Sequence, residues 1–436
     1  MKVRQLIVLF IAWLFASTAA SAQPNVVLII SDDQKWSDYG FMGHSVIETP
    51  HVDLLASEGL VYRYGYVPTS LCRPSLATMI TGLYPHQHGI TGNDPARAAG
   101  VTWESTEHLQ AREALIKKLD EVPTLPRLLA ASGYQSFQSG KWWEGGYQRA
   151  GFSHGMTHGD PKHGGRHGDD GLKIGREGLQ PIFNFVENAG ENPFFVWYAP
   201  FMPHLPHNPP ERLLEKYKTA NRTIELSRYY AMCEWFDETV GELLLYLDEA
   251  GLADKTMVVF VADNGWIQRT SGMRLPSGWR SGYAPRSKQS ANEGGIRTPI
   301  ILRWPGRVEP AEVHIPVSSV DLAPTILKMA GLEPTRQMPG VNLLDQSAVA
   351  DRDAIFGDIY THDVMDLLNP VASLKFRWCL RNPWKLIVPH APKILDAELH
   401  LYDVVTDPEE TRNLAPEHPG LVAELYDQIQ SWWGVD

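Results

Sequence analysis

Two pairs of oxygen-bearing side chains, one of two aspartates and one of an aspartate and an asparagine, each follow a strongly apolar run of the sequence. Asp32 and Asp33 follow NVVLIIS, and Asp263 and Asn264 follow TMVVFVA. Such runs predict buried strands, and ligands of open α/β sheets gather at the carboxyl ends of strands, so all four side chains should face one crevice. Three carboxylates and a carboxamide there need a cation, and oxygen ligands suit Ca²⁺ or Mg²⁺ rather than zinc. Either pair alone is typical of a turn or a helix cap; together they predict a metal site.

A further reactive position is Cys72, in the segment SLCRPSLATMITGLYPHQHGI. Pro74 suits the first position of a helix and Gly82 can end it, so Cys72 should lie at a helix N-terminus, where the dipole and free N–H groups favour an anion. A thiolate at such a place has a depressed pKa. The other cysteines, Cys233 in a helical pattern and Cys379 in a strand-like run, are expected to be structural, and three cysteines allow at most one disulfide.

Strand-like and helix-like patterns alternate through the first three quarters of the chain. This alternation predicts an α/β fold with a largely parallel sheet covered by helices on both faces. After about residue 350 the pattern changes to short strands and turns and then a final helix, which predicts a smaller C-terminal α+β domain. The expected division is a catalytic α/β domain over 23–350 and a C-terminal α+β subdomain over 351–436. The expected strands of the first domain cover 25–31, 134–142, 193–200, 256–265 and 298–306, and its expected helices cover 52–58, 124–132, 175–189, 224–250 and 320–330.

The first 22 residues have the pattern of a secretory signal peptide. Lys2 and Arg4 precede an apolar run over 6–16, and the triplet ASA at 20–22 precedes Gln23. We therefore expect cleavage before Gln23 and a periplasmic or secreted protein. The apolar run is short for a bilayer span and no cysteine follows for lipidation, so we expect no membrane anchor. The formal net charge of -12, with no basic stripe, argues against a nucleic-acid partner.

A series of ordered motifs resembles those of the formylglycine-dependent sulfatases of the alkaline phosphatase superfamily. The resemblance runs from about residue 24 to the C-terminus. It is carried by NVVLIISDDQ, CRPSLATMITGLYPHQHG, GKWWEGG, APFMPHLPH, VVFVADNG, SKQSANEGGIRTPIILRWPG, DLAPTILKMAG, WKLI and LYDVVTDPEETRNLA. It implies a large mixed, mostly parallel sheet sandwiched by helices, with the smaller C-terminal domain, and an exported sulfuric ester hydrolase that acts on sulfated carbohydrate.

The resemblance also implies a modified cysteine and a metal. In this family a formylglycine-generating maturation enzyme oxidises one cysteine to formylglycine (3-oxoalanine) in the export pathway. The hydrated aldehyde attacks sulfur, the alcohol leaves, and the second hydroxyl of the hydrate allows sulfate to be expelled. By position this cysteine is Cys72. The metal, usually Ca²⁺ with Mg²⁺ as the alternative, would be held by Asp32, Asp33, Asp263, Asn264 and the modified side chain at 72.

Three further residues take roles from the resemblance. Lys141 of GKW and Lys288 of SKQSANEGG would hold sulfate oxygens and stabilise the charge of the transition state. His204 of PHLP would donate a proton to the leaving oxygen. Any one of these residues alone is typical of a solvated charge or a satisfied polar side chain, and only the order of the motifs assigns the roles.

The sequence departs from the family at two positions. The family pattern C-x-P-S-R has Leu76 in place of arginine, and the family pattern GKWHLG has Trp143 in place of the histidine that assists sulfate elimination. Both losses fall on the side of the site that handles the aldehyde, which suggests a changed nucleophile chemistry. Arg73 is not expected to replace the arginine, because a helical residue next to the nucleophile points in a different direction from one four positions on.

Several histidines are candidates to fill the gap left by Trp143. His86 and His88 of YPHQHG are one pair, although these histidines are commonly structural in sulfatases. The Gly- and His-rich segment 153–171 offers the others, and a loop that lines the substrate mouth is the favoured interpretation of this segment. Its histidines are His154, His158, His163 and His167.

Three functions fit these residues. The first is an exported sulfatase with Cys72 converted to formylglycine. The second is a phosphate ester or phosphonate hydrolase of the same superfamily with an unmodified Cys72, because sulfate and phosphate esters are similar in shape. The third is a relative that binds sulfated glycan without turnover. Aromatic side chains that could stack on sugars are Trp142, Trp143, Trp266 and Trp279, and the segment 266–290 could line the subsites.

Overall fold

The computed structural model describes residues 23–160, 165–390 and 398–435. The expected signal peptide and His163 lie outside the described residues. The strands are Asn25–Ser31 (β1), Leu60–Tyr66 (β2), Asp94–Pro95 (β3), Gln135–Gly140 (β4), His154–Gly155 (β5), Phe194–Ala199 (β6), Thr256–Ala262 (β7), Arg297–Arg303 (β8), Ala311–Val313 (β9), Val317–Ser318 (β10), Ile355–Tyr360 (β11), Asp363–Val364 (β12), Leu374–Arg381 (β13), Trp384–Pro389 (β14) and His400–Asp403 (β15). The α-helices are Pro50–Ser57 (α1), Cys72–Thr81 (α2), Pro85–His88 (α3), Thr106–Ile116 (α4), Leu125–Ala130 (α5), Gln180–Ala189 (α6), Glu211–Tyr217 (α7), Ile224–Glu249 (α8), Glu293–Ile296 (α9), Leu322–Met329 (α10), Gln346–Asp351 (α11) and Pro419–Trp432 (α12).

The main sheet has nine strands in the order β10-β2-β8-β7-β1-β6-β4-β5, with β9 paired to β2. β1 is central and runs parallel to both neighbours, β6 and β7. β8 runs antiparallel to β2 and β7, so the sheet is mixed and mostly parallel. The predicted fold class is confirmed.

Both faces of this sheet are buried. On β1, Val26 and Leu28 belong to one core cluster and Val27 and Ile29 belong to another. Helices α2, α5 and α10 pack on the first face, and α1, α6 and α8 pack on the second. Because successive side chains of a strand point to opposite faces, burial on both sides explains why β1 and β7 are continuous apolar runs.

A smaller sheet follows in the C-terminal part of the chain. It is antiparallel, in the order β11-β13-β14-β15, and α12 packs on one face through Leu425 and Ile429. On its other face, Trp378 and Leu380 join the main core. The predicted C-terminal α+β architecture is confirmed, while the division at residue 350 stays a prediction.

Several predicted elements differ from the structure at their ends. The helix predicted over 175–189 begins only at Gln180, because Gly175 and Gly178 have φ of 76° and 99°, outside the helical region. Strand β2 was not predicted, because Arg63 and Gly65 interrupt its apolar pattern. Helix α2 spans Cys72–Thr81, so it begins two residues before the predicted first position at Pro74, while Gly82, whose φ is 68°, follows its end as predicted.

The remaining expectations concern cysteines and membrane spans. All three cysteines are free and buried, which agrees with the structural role expected for Cys233 and Cys379. Within the described residues, every helix is too short or too polar to cross a bilayer.

Candidate active site

The two residue pairs expected to share a crevice, Asp32–Asp33 and Asp263–Asn264, meet at one edge of the main sheet. Ser31 of β1 lies beside Ala262 of β7, so the residues that follow these strands are adjacent. The Asp33 backbone N–H donates to Asp263 Oδ1 over 3.0 Å, and Asn264 Nδ2 donates to Asp33 Oδ1 over 2.6 Å. Asp33 has a φ of 63°, an unusual conformation for a residue other than glycine and one that clusters at functional sites.

The free oxygens of these four side chains suit a hard divalent cation. Asp32 Oδ2, Asp33 Oδ2, Asp263 Oδ2 and Asn264 Oδ1 are each buried without a hydrogen-bond partner among the described residues. Such atoms are costly unless something satisfies them. Four oxygen donors, three of them carboxylates, are the ligands that Ca²⁺ and Mg²⁺ prefer.

Two buried lysines lie against the carboxylates. Lys141, which follows β4, places Nζ 2.5 Å from Asp32 Oδ1 and 3.7 Å from Asp263 Oδ2. Lys288 Nζ contacts Asp33 Oδ1. Burial lowers the pKa of both lysines, but the carboxylates outweigh it and the pKa of each is raised. Two ammonium groups leave one of three carboxylate charges unbalanced, and a divalent cation would turn this excess into a net positive charge that suits a sulfate ester.

Cys72 is the first residue of α2 and contacts this cluster. Lys288 Nζ donates to Cys72 Sγ over 2.9 Å, and Sγ lies 3.9 Å from Asp33 Oδ1. The cysteine is 1% exposed, and burial raises the pKa of its thiol to about 12 despite Lys141 and Lys288. The depressed pKa expected from the helix N-terminus is therefore wrong, because the loss of solvation exceeds the effect of the nearby cations.

His204 lies at the mouth of the site. Its Nδ1 is 2.5 Å from the Leu205 carbonyl oxygen, which can only accept, so Nδ1 carries a proton. Nε2 lies 3.4 Å from Asp33 Oδ2, and the ring stacks on Phe201 with centroids 4.3 Å apart. Burial and Lys141 lower the pKa of His204 well below its ordinary value. The ring is neutral at rest.

A cavity of about 270 Å³ joins these groups. All four residues expected to be catalytic line it. The structure adds residues that the sequence reasoning did not single out, because they come from distant segments without a motif. The lining residues are Cys72, Asn93, Lys141, Trp143, Arg166, His167, His204, Leu205, Trp266, Gly282, Tyr283, Lys288, Gln289 and His362.

The candidate sugar-stacking tryptophans divide into wall and core. Trp143 and Trp266 line the cavity. Trp142 instead packs between Phe152 and Trp197 in the core, and Trp279 donates from Nε1 to the Tyr283 carbonyl outside the cavity lining. A stacking role for Trp142 is therefore wrong.

Of the histidine candidates in the described residues, only some line the cavity. His86 pairs with Asp358 over 2.7 Å, and buried His88 contacts Thr78 Oγ1 over 3.3 Å; neither lines the cavity. His154 and His158 are exposed and are likewise outside the lining. His167 does line the cavity, so this loop reaches the substrate mouth as expected.

A buried ion-pair network supports the loop that carries Lys288. Lys385 Nζ on β14 lies 2.7 Å from Glu293 Oε1 and 2.6 Å from Glu410 Oε1. Glu410 also accepts hydrogen bonds from Asn292 Nδ2 over 2.8 Å and from the Glu293 backbone N–H over 3.0 Å. The C-terminal sheet therefore fixes the end of the Lys288 loop, which the WKLI and DPEE motifs alone did not reveal.

Comparisons with known proteins agree with this architecture. The family model described as "Sulfatase" matches residues 24–332, and the model "N-sulphoglucosamine sulphohydrolase, C-terminal" matches residues 286–432. An N-acetylgalactosamine-6-sulfatase of Canis lupus familiaris is 30% identical over 427 residues, which cover 88% of this chain and 77% of that protein. An N-acetylgalactosamine-6-O-sulfatase of Bacteroides thetaiotaomicron is 25% identical over 499 residues, which cover 94% of this chain and 93% of that protein.

A solved structure gives the same result for the fold. Ps i-CgsB in complex with k-i-k-neocarrahexaose has a TM-score of 0.72 and 23% identity, covering 95% of this chain and 94% of that chain. The chain belongs to the sulfatase family and is a sulfuric ester hydrolase.

Proposed function

We propose that this protein is an exported sulfatase that hydrolyses sulfate esters of carbohydrates, with a nucleophile derived from Cys72 and a bound Ca²⁺. The observation that carries the proposal is that Cys72 and two lysines line one small cavity and lie against a buried cluster of four oxygen donors that have no hydrogen-bond partner among the described residues. The names of the relatives, which are sulfatases of a sulfated amino sugar, support a carbohydrate substrate.

Each side chain has a role that its position supports. Asp32, Asp33, Asp263 and Asn264 would hold Ca²⁺, which, when bound, supplies Lewis-acid activation of the sulfate group. Formylglycine at position 72, formed by a maturation enzyme, supplies a hydrated aldehyde as the nucleophile. Because the unmodified thiol is buried with a raised pKa, it is a poor nucleophile, which favours conversion.

The two lysines and His204 would act on the substrate. The Nζ atoms of Lys141 and Lys288 lie within the carboxylate cluster, where they can neutralise sulfate oxygens as negative charge develops. His204 Nε2 faces the cluster and holds no proton at rest, so it would have to gain one when the anionic ester binds and would then pass it to the oxygen of the departing alcohol. Both actions need these groups at the cavity wall, where they lie.

The deciding experiment combines a mass measurement with a substrate screen. Protein from its native host is digested and the Cys72 peptide is weighed, and 6-O-sulfated and other sulfated sugars are screened for released sulfate. We expect an aldehyde at position 72, sulfate release by the native protein, and loss of release in Cys72→Ala. Cys233→Ala, at another buried free cysteine, is the matched control. An unmodified thiol in fully active protein would refute the formylglycine nucleophile.

A matched pair of esters separates the sulfatase from a phosphate or phosphonate hydrolase. 4-Methylumbelliferyl sulfate and 4-methylumbelliferyl phosphate differ only in the group that is cleaved. We expect faster hydrolysis of the sulfate. A bound monoanion neutralises the one excess positive charge of the loaded site, whereas a dianion would leave one buried negative charge unpaired. Faster hydrolysis of the phosphate would favour the alternative, and binding of sulfated sugar without turnover of either ester would indicate a non-catalytic relative.

A further inference from the structure

One histidine enters the cavity from a segment outside the family motifs that carry the other site residues. His167 lines the cavity together with Cys72, Lys141 and His204. Its Nδ1 is buried without a hydrogen-bond partner in the described part of the chain. Since a neutral imidazole offers one donor and one acceptor, this ring keeps hydrogen-bonding capacity that a bound group can use.

The loop that carries His167 is held by contacts from four separate segments. The Trp142 backbone N–H donates to the His167 carbonyl over 3.0 Å, and Thr157 Oγ1 donates to the Gly168 carbonyl over 2.9 Å. Arg166 Nε donates to both carboxylate oxygens of Asp94 over 3.1 Å, and Arg112 Nη2 donates to the Gly165 carbonyl over 2.5 Å. A catalytic group needs this kind of support, because small displacements reduce its efficiency.

The ring also has a defined relation to the rest of the site. Phe201 contacts two imidazoles, with His204 stacked at 4.3 Å and His167 packed edgewise at 5.3 Å between centroids. His167 also packs against Trp143, the residue that replaces the family histidine, with ring centroids 5.6 Å apart. Lys141 Nζ lies 5.1 Å from the Trp143 ring centroid and 5.4 Å from that of Phe201. Two of the cavity-lining histidines, His167 and His204, therefore contact the same phenyl ring.

We propose that His167 is the base that completes sulfate release in this protein, in place of the histidine missing at Trp143. The proposal rests on the proposed function, with formylglycine at position 72. In the step concerned, His167 takes the proton from the free hydroxyl on the residue-72 Cβ. The oxygen electrons form the aldehyde C=O, the bond from Cβ to the sulfate oxygen breaks, and sulfate leaves with that electron pair. His204 serves the earlier step, in which the alcohol leaves.

His362 is the competing histidine at the cavity wall, and its contacts distinguish it from His167. Its Nδ1 lies 2.5 Å from Asp363 Oδ1, and its Nε2 lies 3.4 Å from Asn93 Nδ2, so both nitrogens already have partners. Its side chain is 43% exposed. These contacts favour a role at the rim, whereas His167 has an unused nitrogen beside Trp143.

The two half-reactions can be separated with 4-methylumbelliferyl sulfate as the probe. In His167→Asn, we expect a burst of fluorescent alcohol equal to one turnover per site, followed by steady-state turnover lowered by about 100-fold or more. Intact-protein mass should show the addition of one SO₃ group, located on the Cys72 peptide. In His204→Asn, the burst itself should be slow and no SO₃ adduct should accumulate.

Control variants make each outcome decisive. His158→Asn changes an exposed histidine of the same loop and should behave as wild type. His167→Gln is the second variant if His167→Asn does not fold, as judged by thermal unfolding. Turnover of the folded His167 variant within about twofold of wild type, slow turnover without an SO₃ adduct, or an adduct in His362→Asn instead would overturn the proposal. A wild-type protein with a thiol at position 72 or no sulfate release would refute the proposed function itself, and this inference with it.

Discussion

Arg73 and Glu144 form a bidentate ion pair in the protein interior. Nε–Oε1 and Nη2–Oε2 are both 2.7 Å, and the two side chains are 1% and 4% exposed. Glu144 stands where the family pattern GKWHLG has leucine, and Arg73 follows the nucleophile position. The ion pair therefore joins α2 to the GKWWEGG segment, and the guanidinium of Arg73 does not line the cavity.

Loss of one partner should destabilise the protein strongly. We expect Glu144→Leu to lower the free energy of unfolding by about 3–5 kcal/mol, because it leaves a buried guanidinium without a counter-ion. In the double variant Arg73→Leu/Glu144→Leu, much of this loss should be recovered, since two apolar side chains avoid the desolvation of both charges. Urea unfolding of the wild type, the two single variants Arg73→Leu and Glu144→Leu, and the double variant measures the free energy of unfolding of each. Simple additivity of the two single losses would contradict this expectation.

A second prediction concerns the ion pairs of Lys385. Lys385→Met leaves the buried Glu293 and Glu410 without their ammonium group and should lower the free energy of unfolding by about 3–5 kcal/mol. The control is Lys328→Met, because Lys328 and Glu333 are 40% and 83% exposed and such pairs contribute about 0–1 kcal/mol. Chemical denaturation compares the two. Equal effects would show that the buried network contributes little.

The sheet and the carboxylate cluster could be predicted from the sequence because their signals are local. β1 and β7 are uninterrupted apolar runs that end in acidic residues, and neighbouring parallel strands bring such ends together. Nothing local indicated that Arg166 and His362 would meet at the cavity, because both are placed by distant segments. Arg166 is held by its ion pair with Asp94, and His362 directly precedes β12, which pairs with β3.

Leu76 shows why a motif comparison alone was incomplete. It is 4% exposed and packs in the main hydrophobic core, so the absence of arginine there is matched by apolar surroundings. The depressed pKa expected for Cys72 failed for a similar reason. The position of a residue on a helix can be predicted from sequence, whereas the solvent excluded around it depends on the whole fold.

Acid should destabilise the protein partly through His88. The Ile90 backbone N–H donates to Nδ1 over 3.1 Å, and Nε2 contacts Thr78 Oγ1 over 3.3 Å, so the buried ring is neutral. Burial lowers the pKa of His88 from 6.5 to about 3. Between pH 6.5 and 3 the unfolded chain binds a proton that the folded chain does not, so stability falls as the pH falls through this window.

The expected loss from His88 is about 2 kcal/mol between roughly pH 7 and pH 5. His88→Gln removes this titration, so the variant should be less stable than wild type at the higher pH and should lose less on acidification. Urea unfolding at the two pH values measures the difference. An identical pH dependence in wild type and variant would exclude His88 as a source of acid sensitivity.

Calcium should bind to and stabilise the metal-free protein. We expect EDTA-treated protein to gain about 2.7 kcal/mol in unfolding free energy at a Ca²⁺ concentration of about 100 times Kd. Asp263→Asn should weaken binding by about tenfold or more, because it removes a carboxylate charge from the ligand set. Calorimetric titration measures the affinity.

The control for calcium binding is another buried carboxylate. Asp237 accepts hydrogen bonds from the backbone N–H groups of His51 and Val52 over 3.1 and 2.8 Å, away from the cluster. Asp237→Asn should leave Ca²⁺ affinity unchanged. Equal weakening by both substitutions would indicate that the affinity responds to general destabilisation rather than to the loss of a ligand.

The burial of Cys72 sets an order of events in the synthesis of this protein. With 1% of the residue exposed, a modifying enzyme has no access to the sulfur in the folded chain. The ion pair between Lys385 and Glu410, which holds the end of the Lys288 loop, can form only after almost the whole chain has been made. The proposed oxidation therefore precedes the folding of the chain around Cys72, when the substrate of the maturation enzyme is an unfolded polypeptide.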